Sequence, residues 1–167
     1  MPNKERIAVD ALKFIIPLIE KRNFHWLITG GFASYVYGVK RDLTDIDIDI
    51  ATEARTPAFK DFLKEIKPHI TQNLEHYVDQ NYDNYNFEIT YNSQMIDICP
   101  SQNLKIFNET SNQYELFYKE RFPRPEMKNF HDLQLPLLPK KLIIKNKEML
   151  IWKRETDIED IKGLKNL

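Results

Sequence analysis

The sequence predicts an α+β fold, a small mixed β-sheet with helices packed on one face and further helices at the C-terminal end. A short apolar run precedes Gly30-Gly31 and a helical pattern, "DIDIDI" alternates with period two, and amphipathic helical patterns occupy both ends of the chain. The 167 residues are 42% hydrophobic, which suits one domain with a sizeable core. We expect a single domain over residues 1–167, with its core at about 20–110 and C-terminal helices at about 139–167.

The first elements are predicted to be a helix, a strand, a glycine turn and a second helix. Apolar residues recur at helical spacing over about residues 3–21, where Pro17 is expected to kink or split the helix. "NFHWLIT" is typical of a short buried strand that ends at Gly30-Gly31. "FASYVYG" then predicts a short helix that stops at Gly38.

The middle of the chain predicts three strands and a helix. "DIDIDI" indicates a strand with one dry face, which points three isoleucines into the core: Ile46, Ile48 and Ile50. Thr56 as cap and Pro57 at the first helical position predict a helix that runs to about Lys67. "NFEITY" and "QMIDIC", separated by "NS", predict a β-hairpin.

The later segments are less regular. "SQNLKIFNETSNQ" is polar and predicts a loop, and "RFPRPEM" predicts an irregular connection because two prolines lie close together. "LQLPLL" predicts a short strand. Pro139 is expected to open the helical run "KKLIIKNKEMLIWKRE", and Thr156 to cap a last helix, "DIEDIKGLKNL".

Composition excludes several functional classes. The net charge of -1 argues against a protein whose whole surface grips nucleic acid. The single cysteine, Cys99, excludes an internal disulfide, has no Cys/His cluster of zinc-ligand spacing around it, and is interpreted as a small buried side chain. The apolar stretch near the start is too short to span a bilayer and lacks a cleavage site, so we expect a cytoplasmic protein with no membrane partner.

Three aspartates define the first candidate site. Side chains two apart on a strand emerge on the same face, roughly 6.5 to 7 Å apart at the backbone, so Asp45, Asp47 and Asp49 line one surface. Partly shielded carboxylates repel one another, and hard divalent cations bound by oxygen ligands relieve that repulsion. The alternative is a solvated strand face whose charges discourage edge-to-edge pairing.

The double glycine adds a second feature. Gly30 and Gly31 end a strand and open a helix, so their backbone N–H groups can approach phosphate oxygens with no side chain in between. The alternative is an ordinary tight turn. A phosphate-binding turn followed by a metal-binding face is what handling a nucleoside triphosphate requires.

These residues carry a family resemblance. "GGFASYVYGVKRDLTDIDI" resembles the signature of the nucleotidyltransferase superfamily related to DNA polymerase β, particularly small prokaryotic members that include AbiE-type abortive-infection toxins. The matched positions are Gly30, Gly31, Gly38, Arg41, Asp45 and Asp47.

The resemblance implies further residues later in the chain. It implies a third carboxylate on a later strand, and "QMIDIC" supplies Asp97, which read alone is either solvent-facing or part of a polar site. The tail is similar to the closing helices of these small proteins at four positions: Lys145, Arg154, Asp157 and Asp160. The alternative for the two tail aspartates is helix-start charge that favours the helix dipole.

The resemblance also implies an activity. Two Mg²⁺ (or Mn²⁺) ions would be held by Asp45, Asp47 and Asp97, with Asp97 as a possible proton acceptor. A nucleoside monophosphate would pass from an NTP to an acceptor hydroxyl of RNA, protein or a small molecule, with release of pyrophosphate. Gly30 and Gly31 would contact phosphate.

The sequence leaves more than one partner open for two residues near this motif. Arg41 is assigned to nucleotide binding, although a guanidinium suits a phosphate and an aspartate in the loop equally well. Asp49 falls outside the two-carboxylate motif and is interpreted as structural, with Arg41, Lys40 or nearby backbone groups as its partner. The histidines and tyrosines show no pattern that assigns them to a site.

Two other functions fit the same sequence. One is a toxin–antitoxin component or nucleotide-binding module that keeps the fold but acts through a protein partner without turnover, which the short chain favours. The other is a metal-binding structural protein, which the acidic face alone would allow.

Overall fold

The computed structural model describes residues 3–118 and 121–167. The described part contains five helices: α1 (Asn3–Glu20), α2 (Gly30–Tyr37), α3 (Pro57–Ile66), α4 (Lys140–Met149) and α5 (Glu155–Lys165). Its strands are β1 (Trp26–Ile28), β2 (Asp45–Ile50), β3 (Ile70–Val78), β4 (Tyr82–Tyr91), β5 (Gln94–Pro100), β6 (Lys105–Asn108), β7 (Gln113–Leu116), β8 (Glu126–Phe130) and β9 (Leu133–Leu137). No helix within these ranges combines the length and apolar character needed to cross a membrane.

The strands form one mixed sheet, which confirms the predicted α+β class. Its order is β7-β6-β4-β5-β2-β1-β9-β8, and β3 pairs with β4. β2 runs parallel to β5, and β1 runs parallel to β9, while the other pairs are antiparallel. The sheet therefore reaches beyond the predicted core segment, because strands up to residue 137 join it.

One face of the central strands is packed against helices. All three isoleucines of β2 are buried, as the alternating pattern predicts. Phe87 of β4 lies opposite Ile98 of β5, and the ring of Phe87 meets the α3 ring of Phe59 with centroids 5.9 Å apart. On the same face, Phe14 of α1 stacks on Tyr91 at 4.2 Å. The opposite face, which carries the aspartates, is left to form the site.

Several predicted element ends are confirmed. α2 ends at Gly38, whose φ of 113° lies in the left-handed region that glycine adopts without a steric penalty. The Thr56 side chain accepts a hydrogen bond from the Phe59 N–H and caps α3, which starts at Pro57. α1 runs through Pro17 as one helix, so the predicted split does not occur.

Two predictions in the second half are wrong in whole or in part, and one strand of the first half was missed. "SQNLKIFNETSNQ" contains β6 and most of the β6–β7 hairpin instead of a loop, and β8 begins at Glu126 within the expected irregular connection. These strands are short and half exposed, so they lack the apolar alternation that identifies a strand in sequence. No element was predicted for β3, which is largely exposed and pairs only with β4.

The C-terminal helices also differ in their ends. α4 begins after Pro139 as predicted, but it stops at Met149 instead of continuing to residue 155. Thr156 does not cap the last helix. The N-cap of α5 is Arg154, whose N–H donates to the Asp157 carboxylate, while the Asp157 N–H donates to the Arg154 carbonyl.

The β4–β5 hairpin yields a stability prediction. Asn92 and Ser93 form its two-residue turn with positive φ, 46° and 69°, a conformation that costs a residue with a Cβ roughly 1 kcal/mol. We expect Ser93→Gly to raise the free energy of unfolding by about 0.5–1 kcal/mol, measured by chemical denaturation. Ser93→Ala keeps the Cβ and should bring no gain. An equal gain in both variants would contradict this explanation.

Candidate active site

Two aspartates meet on neighbouring strands. β2 and β5 are parallel and in register, so Asp47 lies directly beside Asp97. The flanking isoleucine pairs, Ile46 with Ile96 and Ile48 with Ile98, are buried on the other face. Because side chains alternate along a strand, both carboxylates emerge on the open face. The placement that a shared site requires is therefore present.

Burial and mutual repulsion perturb both acids. Burial and the charge of Asp47 raise the pKa of Asp97 from 3.8 to about 7. Burial and the charge of Asp45 raise the pKa of Asp47 to about 6, although Lys147, Arg154 and a hydrogen bond from the Gly31 N–H oppose the rise. Nearby cations therefore do not balance the negative charge on this face.

Asp49 is buried deeper along the same face. The Tyr118 hydroxyl donates to its Oδ2 at 2.5 Å, so the predicted partners, Arg41, Lys40 or backbone groups, are wrong. Burial raises the pKa of Asp49 to about 7 despite that hydrogen bond. Its neighbour Cys99 is buried, as predicted, and burial raises the pKa of the thiol.

Asp45 stands slightly apart from the other predicted ligands. It lies at the start of β2, where its Oδ1 accepts a hydrogen bond from the Thr44 hydroxyl at 2.6 Å. It does not line the cavity that contains Asp47 and Asp97. It is nevertheless close enough for its charge to raise the pKa of Asp47.

The glycine turn lies against these acids. Gly30 has a φ of 60°, and a Cβ there would stand 1.8 Å from Asp47 Oδ2. A Cβ on Gly31 would stand 2.4 Å from the guanidinium carbon of Arg41. Neither position accepts a side chain without movement, so Asp47 and the start of α2 come into direct contact. The predicted phosphate turn is thus adjacent to the carboxylate pair.

Behind the turn lies a buried ion network. Arg41 Nη1 donates to Asp160 Oδ2 at 2.5 Å, and Lys147 Nζ lies 3.1 Å from the same oxygen. Lys147 also contacts Asp157 Oδ1 at 2.6 Å, and Arg154 Nε donates to Asp157 Oδ2 at 3.1 Å. Asp157 and Asp160 are only 1% and 0% exposed. Asp157 does lie at a helix start, but both aspartates are buried ion-pair partners instead of surface charges.

The lysine of this network differs from the one matched in the sequence. Lys145 is exposed, whereas Lys147 and Ile143, one helical turn apart, are the buried residues of α4. Burial alone would raise the pKa of Asp157, but hydrogen bonds from Arg154 and Lys147 lower it to about 2. These two cations hold Asp157 ionised.

The carboxylate face opens into a cavity of about 470 Å³. Asp47, Asp97 and Gly30 line one part of it, and Lys147 and Arg154 line another. A third wall is formed by β4 and by the connection between α4 and α5, with Asn84, Asn86 and Trp152. Sequence reasoning missed Tyr118, Lys147 and both asparagines; only the period-two spacing of the asparagines was a visible signal.

The carboxylate oxygens of this face suit a hard divalent cation that also binds oxygen atoms of a ligand. In the described ranges no three acidic, histidine or cysteine side chains are arranged to hold an ion by themselves. Asp97 Oδ1, however, is buried without a hydrogen-bond partner. It lies next to Asp47, whose negative charge is not balanced by the nearby cations. Mg²⁺ needs only one or two carboxylates, with waters and phosphate oxygens completing its shell. The acidic face fits that coordination.

Known structures share this fold. No protein-family model and no curated protein matches the sequence. A candidate nucleotidyltransferase from Thermotoga maritima superposes with a TM-score of 0.68 at 14% identity, covering 95% of this chain and 91% of its own. The lincosamide antibiotic adenylyltransferase LnuA, bound to lincomycin, gives 0.53 at 20%, covering 92% and 94%. ANT(2'')-Ia in complex with adenylyl-2''-tobramycin gives 0.59 at 17%, covering 95% and 88%. The chain therefore has a nucleotidyltransferase-like fold.

The raised pKa values predict how stability depends on pH. The pKa values of Asp47, Asp49 and Asp97 lie at about 6 to 7 in the folded protein, above the ordinary 3.8. Between these limits the folded state holds more protons than the unfolded state, so stability falls as pH rises from about 4 to about 8. We expect the melting temperature of the metal-free protein to fall accordingly in differential scanning calorimetry.

Added Mg²⁺ should raise the melting temperature more at pH 8 than at pH 5, because the carboxylates are ionised only at the higher pH. NaCl at equal ionic strength is the control. The Asp47→Asn variant should show a shallower pH dependence. An Mg²⁺ effect that is independent of pH would contradict binding at these carboxylates.

The buried network predicts a contrast between two lysines of α4. Lys147→Met removes the cation shared by Asp157 and Asp160 and should lower the free energy of unfolding by about 3 kcal/mol or more, measured in urea. Lys145→Met, at an exposed position of the same helix, should change it by less than about 0.5 kcal/mol. If Lys145→Met lowered the free energy of unfolding as much as Lys147→Met does, the loss would not come from the buried ion network.

Proposed function

We propose that the protein is a metal-dependent nucleotidyltransferase that moves a nucleoside monophosphate from an NTP to an acceptor hydroxyl. The observation that carries this proposal is the in-register pair of Asp47 and Asp97, of which Asp47 lies in direct contact with Gly30. The fold supports it, since similar structures include adenylyltransferases that act on antibiotics. The resemblance to AbiE-type proteins belongs to the same proposal and rests on the sequence motif.

Asp45, Asp47 and Asp97 would hold the two Mg²⁺ (or Mn²⁺) ions. Bound there, the ions supply charge neutralisation for the triphosphate and lower the pKa of the attacking hydroxyl. Asp47 and Asp97 face the cavity, and Asp45 would add its carboxylate from the start of β2.

The chain's own groups would then position the triphosphate. Backbone N–H groups of Gly30 and Gly31, at the start of α2, suit phosphate oxygens. Lys147 and Arg154 line the same cavity and add positive charge opposite the aspartates. Arg41, predicted as a nucleotide contact, lies behind Gly31 with one nitrogen bonded to Asp160, so we assign it to fixing the turn.

Asp97 would accept the proton of the acceptor hydroxyl. Its Oδ1 is buried without a hydrogen-bond partner, so this oxygen is free to take the proton. As the proton moves to Asp97, the acceptor oxygen forms a bond to the α-phosphorus. The bond between the α-phosphorus and the bridging oxygen breaks, and pyrophosphate leaves with that electron pair.

A charge-neutral variant tests the proposal. Asp47→Asn should reduce label transfer from α-labelled NTPs, with Mg²⁺ or Mn²⁺ and cell extract as acceptor source, to background. Its melting temperature at pH 8 should stay equal or rise, because one of several crowded charges is removed. Asp42→Asn, at an exposed position outside the site, should retain transfer.

Three results would contradict the enzyme. They are undiminished transfer by Asp47→Asn, loss of folding in that variant, and nucleotide binding by the unaltered protein with no transfer to any acceptor. The last would favour a nucleotide-binding module that acts through a partner.

A further inference from the structure

Two asparagines of β4 present unused hydrogen-bond acceptors to the cavity. Glu88 lies opposite Asp97, so Asn86 and Asn84, spaced by two residues, share the face that carries Asp97. Both asparagine Oδ1 atoms are buried and have no hydrogen-bond partner. Leaving a buried acceptor unpaired costs about 1–3 kcal/mol each, so the arrangement calls for a ligand that brings donors.

The amide of Asn86 is oriented by its nitrogen, whereas that of Asn84 makes only a weak contact to sulfur. Asn86 Nδ2 donates to Asp97 Oδ2 at 3.5 Å, and Asn84 Nδ2 donates to the Cys99 sulfur at 3.8 Å. Turning the Asn86 amide over would place its oxygen against the carboxylate of Asp97, which is unfavourable. Asp97 Oδ1 is also unpaired, so three residues that line the same cavity each have a buried acceptor without a partner.

Asn81, at the position just before β4, shows the contrast. Its Oδ1 accepts from the Ile151 N–H at 2.9 Å, and its Nδ2 donates to the Trp152 carbonyl at 3.3 Å. Both ends of this amide are used to hold the α4–α5 connection. Asn81 is therefore structural, whereas Asn84 and Asn86 keep their oxygens free for a ligand.

The sheet order places these acceptors on one side of the reaction centre. Going across the sheet, the Gly30 turn follows β1, Asp47 lies on β2, Asp97 on β5, and Asn86 on β4. In-line transfer requires the attacking and leaving oxygens on opposite sides of the α-phosphorus. If the proposed function holds, with the triphosphate at Gly30, the acceptor hydroxyl approaches from β4.

The charge of this side favours a small acceptor with hydrogen-bond donors. Asp79, just before β4, and Asp97 line the cavity, whereas its basic groups, Lys147 and Arg154, lie on α4 and the α4–α5 connection, where they would serve the triphosphate. Nucleic acid binds through cationic contacts to its phosphates, which an acidic wall opposes. The cavity of about 470 Å³ also contains the proposed triphosphate site, so the space left for the acceptor suits a small molecule.

We propose that Asn84 and Asn86 form the acceptor subsite, and that the acceptor is a small molecule that bears both hydroxyl and amine groups. The amide oxygens receive its donors while one hydroxyl lies at Asp97. This inference rests on the proposed function for the identity of the reaction, but binding at the amides is measurable without turnover.

The test uses 2-deoxystreptamine as a probe with hydroxyls and amines, myo-inositol as a hydroxyl-only probe, and a short RNA with a free 3′ hydroxyl. Binding is measured by ligand-observed NMR and by titration calorimetry, with and without a non-hydrolysable ATP analogue and Mg²⁺. We expect 2-deoxystreptamine to bind more tightly than the other two. Asn84→Ala and Asn86→Ala should each weaken that binding about fivefold and change the affinity for the ATP analogue less than twofold.

Asn73→Ala, at an exposed position of the neighbouring strand β3, is the matched control and should bind as the unaltered protein does. Asn84→Val and Asn86→Val suit a strand better and replace the alanine variants if those unfold. Each variant loses one long hydrogen bond from Nδ2 and one buried oxygen that has no partner, so its melting temperature should stay close to that of the unaltered protein.

Several outcomes would overturn the acceptor subsite. The first two are no binding of 2-deoxystreptamine at tens of millimolar and equal binding of it by the asparagine variants. The third is tighter binding of RNA than of 2-deoxystreptamine. The fourth is a loss of affinity for the ATP analogue in the variants, which would show that Asn84 and Asn86 bind the base of the nucleotide. Failure of the unaltered protein to bind the ATP analogue would instead overturn the proposed function. Binding of 2-deoxystreptamine, measured without the analogue, would still decide whether Asn84 and Asn86 bind a small molecule.

Discussion

The in-register parallel pairing of β2 with β5 is the constraint on which the rest of the site depends. Packing of the isoleucines on one face fixes the register, because a slip of one residue would turn the aspartates into the core. The same register brings Asp47 and Asp97 side by side on the open face. The hydrophobic core therefore supplies the force that holds two like charges together, and the surrounding groups adjust to that placement.

Buried carboxylates in this protein fall into two groups with opposite electrostatics. Asp157 and Asp160 are matched by Arg41, Lys147 and Arg154, and the pKa of Asp157 is low in consequence. These pairs join α4 and α5 to the loop that precedes β2. The carboxylates of β2 and β5, by contrast, have raised pKa values and too few cations nearby. A fold that gives one group of buried carboxylates cationic partners and leaves the other group without enough of them points to the second group as the place where cations and substrate bind.

Sequence reasoning failed where an element's identity depended on distant partners. The β6–β7 hairpin has little apolar alternation of its own and forms because β6 pairs with the start of β4. The lysine of the ion network is Lys147 instead of Lys145, since the packing of α4 decides which side faces inward. Thr156 is a good capping residue by type, but the Asp157 carboxylate accepts a hydrogen bond from the Arg154 N–H, and α5 starts two residues earlier than predicted. Tertiary contacts outweighed local propensity for the hairpin and the lysine, whereas the start of α5 depends on a bond between residues three apart.

The sequence by itself determined the glycine turn and the strand of aspartates, because period-two alternation and glycine stereochemistry act over a few neighbouring residues. The candidate role of Asp97 came from the family resemblance. Only the tertiary structure decided which groups surround those acids. Tyr118 donates to Asp49 across 69 positions of the chain. Asn84 and Asn86 become a wall of the cavity because β4 pairs with β5 in one register. Such contacts depend on sheet order and side-chain packing, which no local pattern encodes.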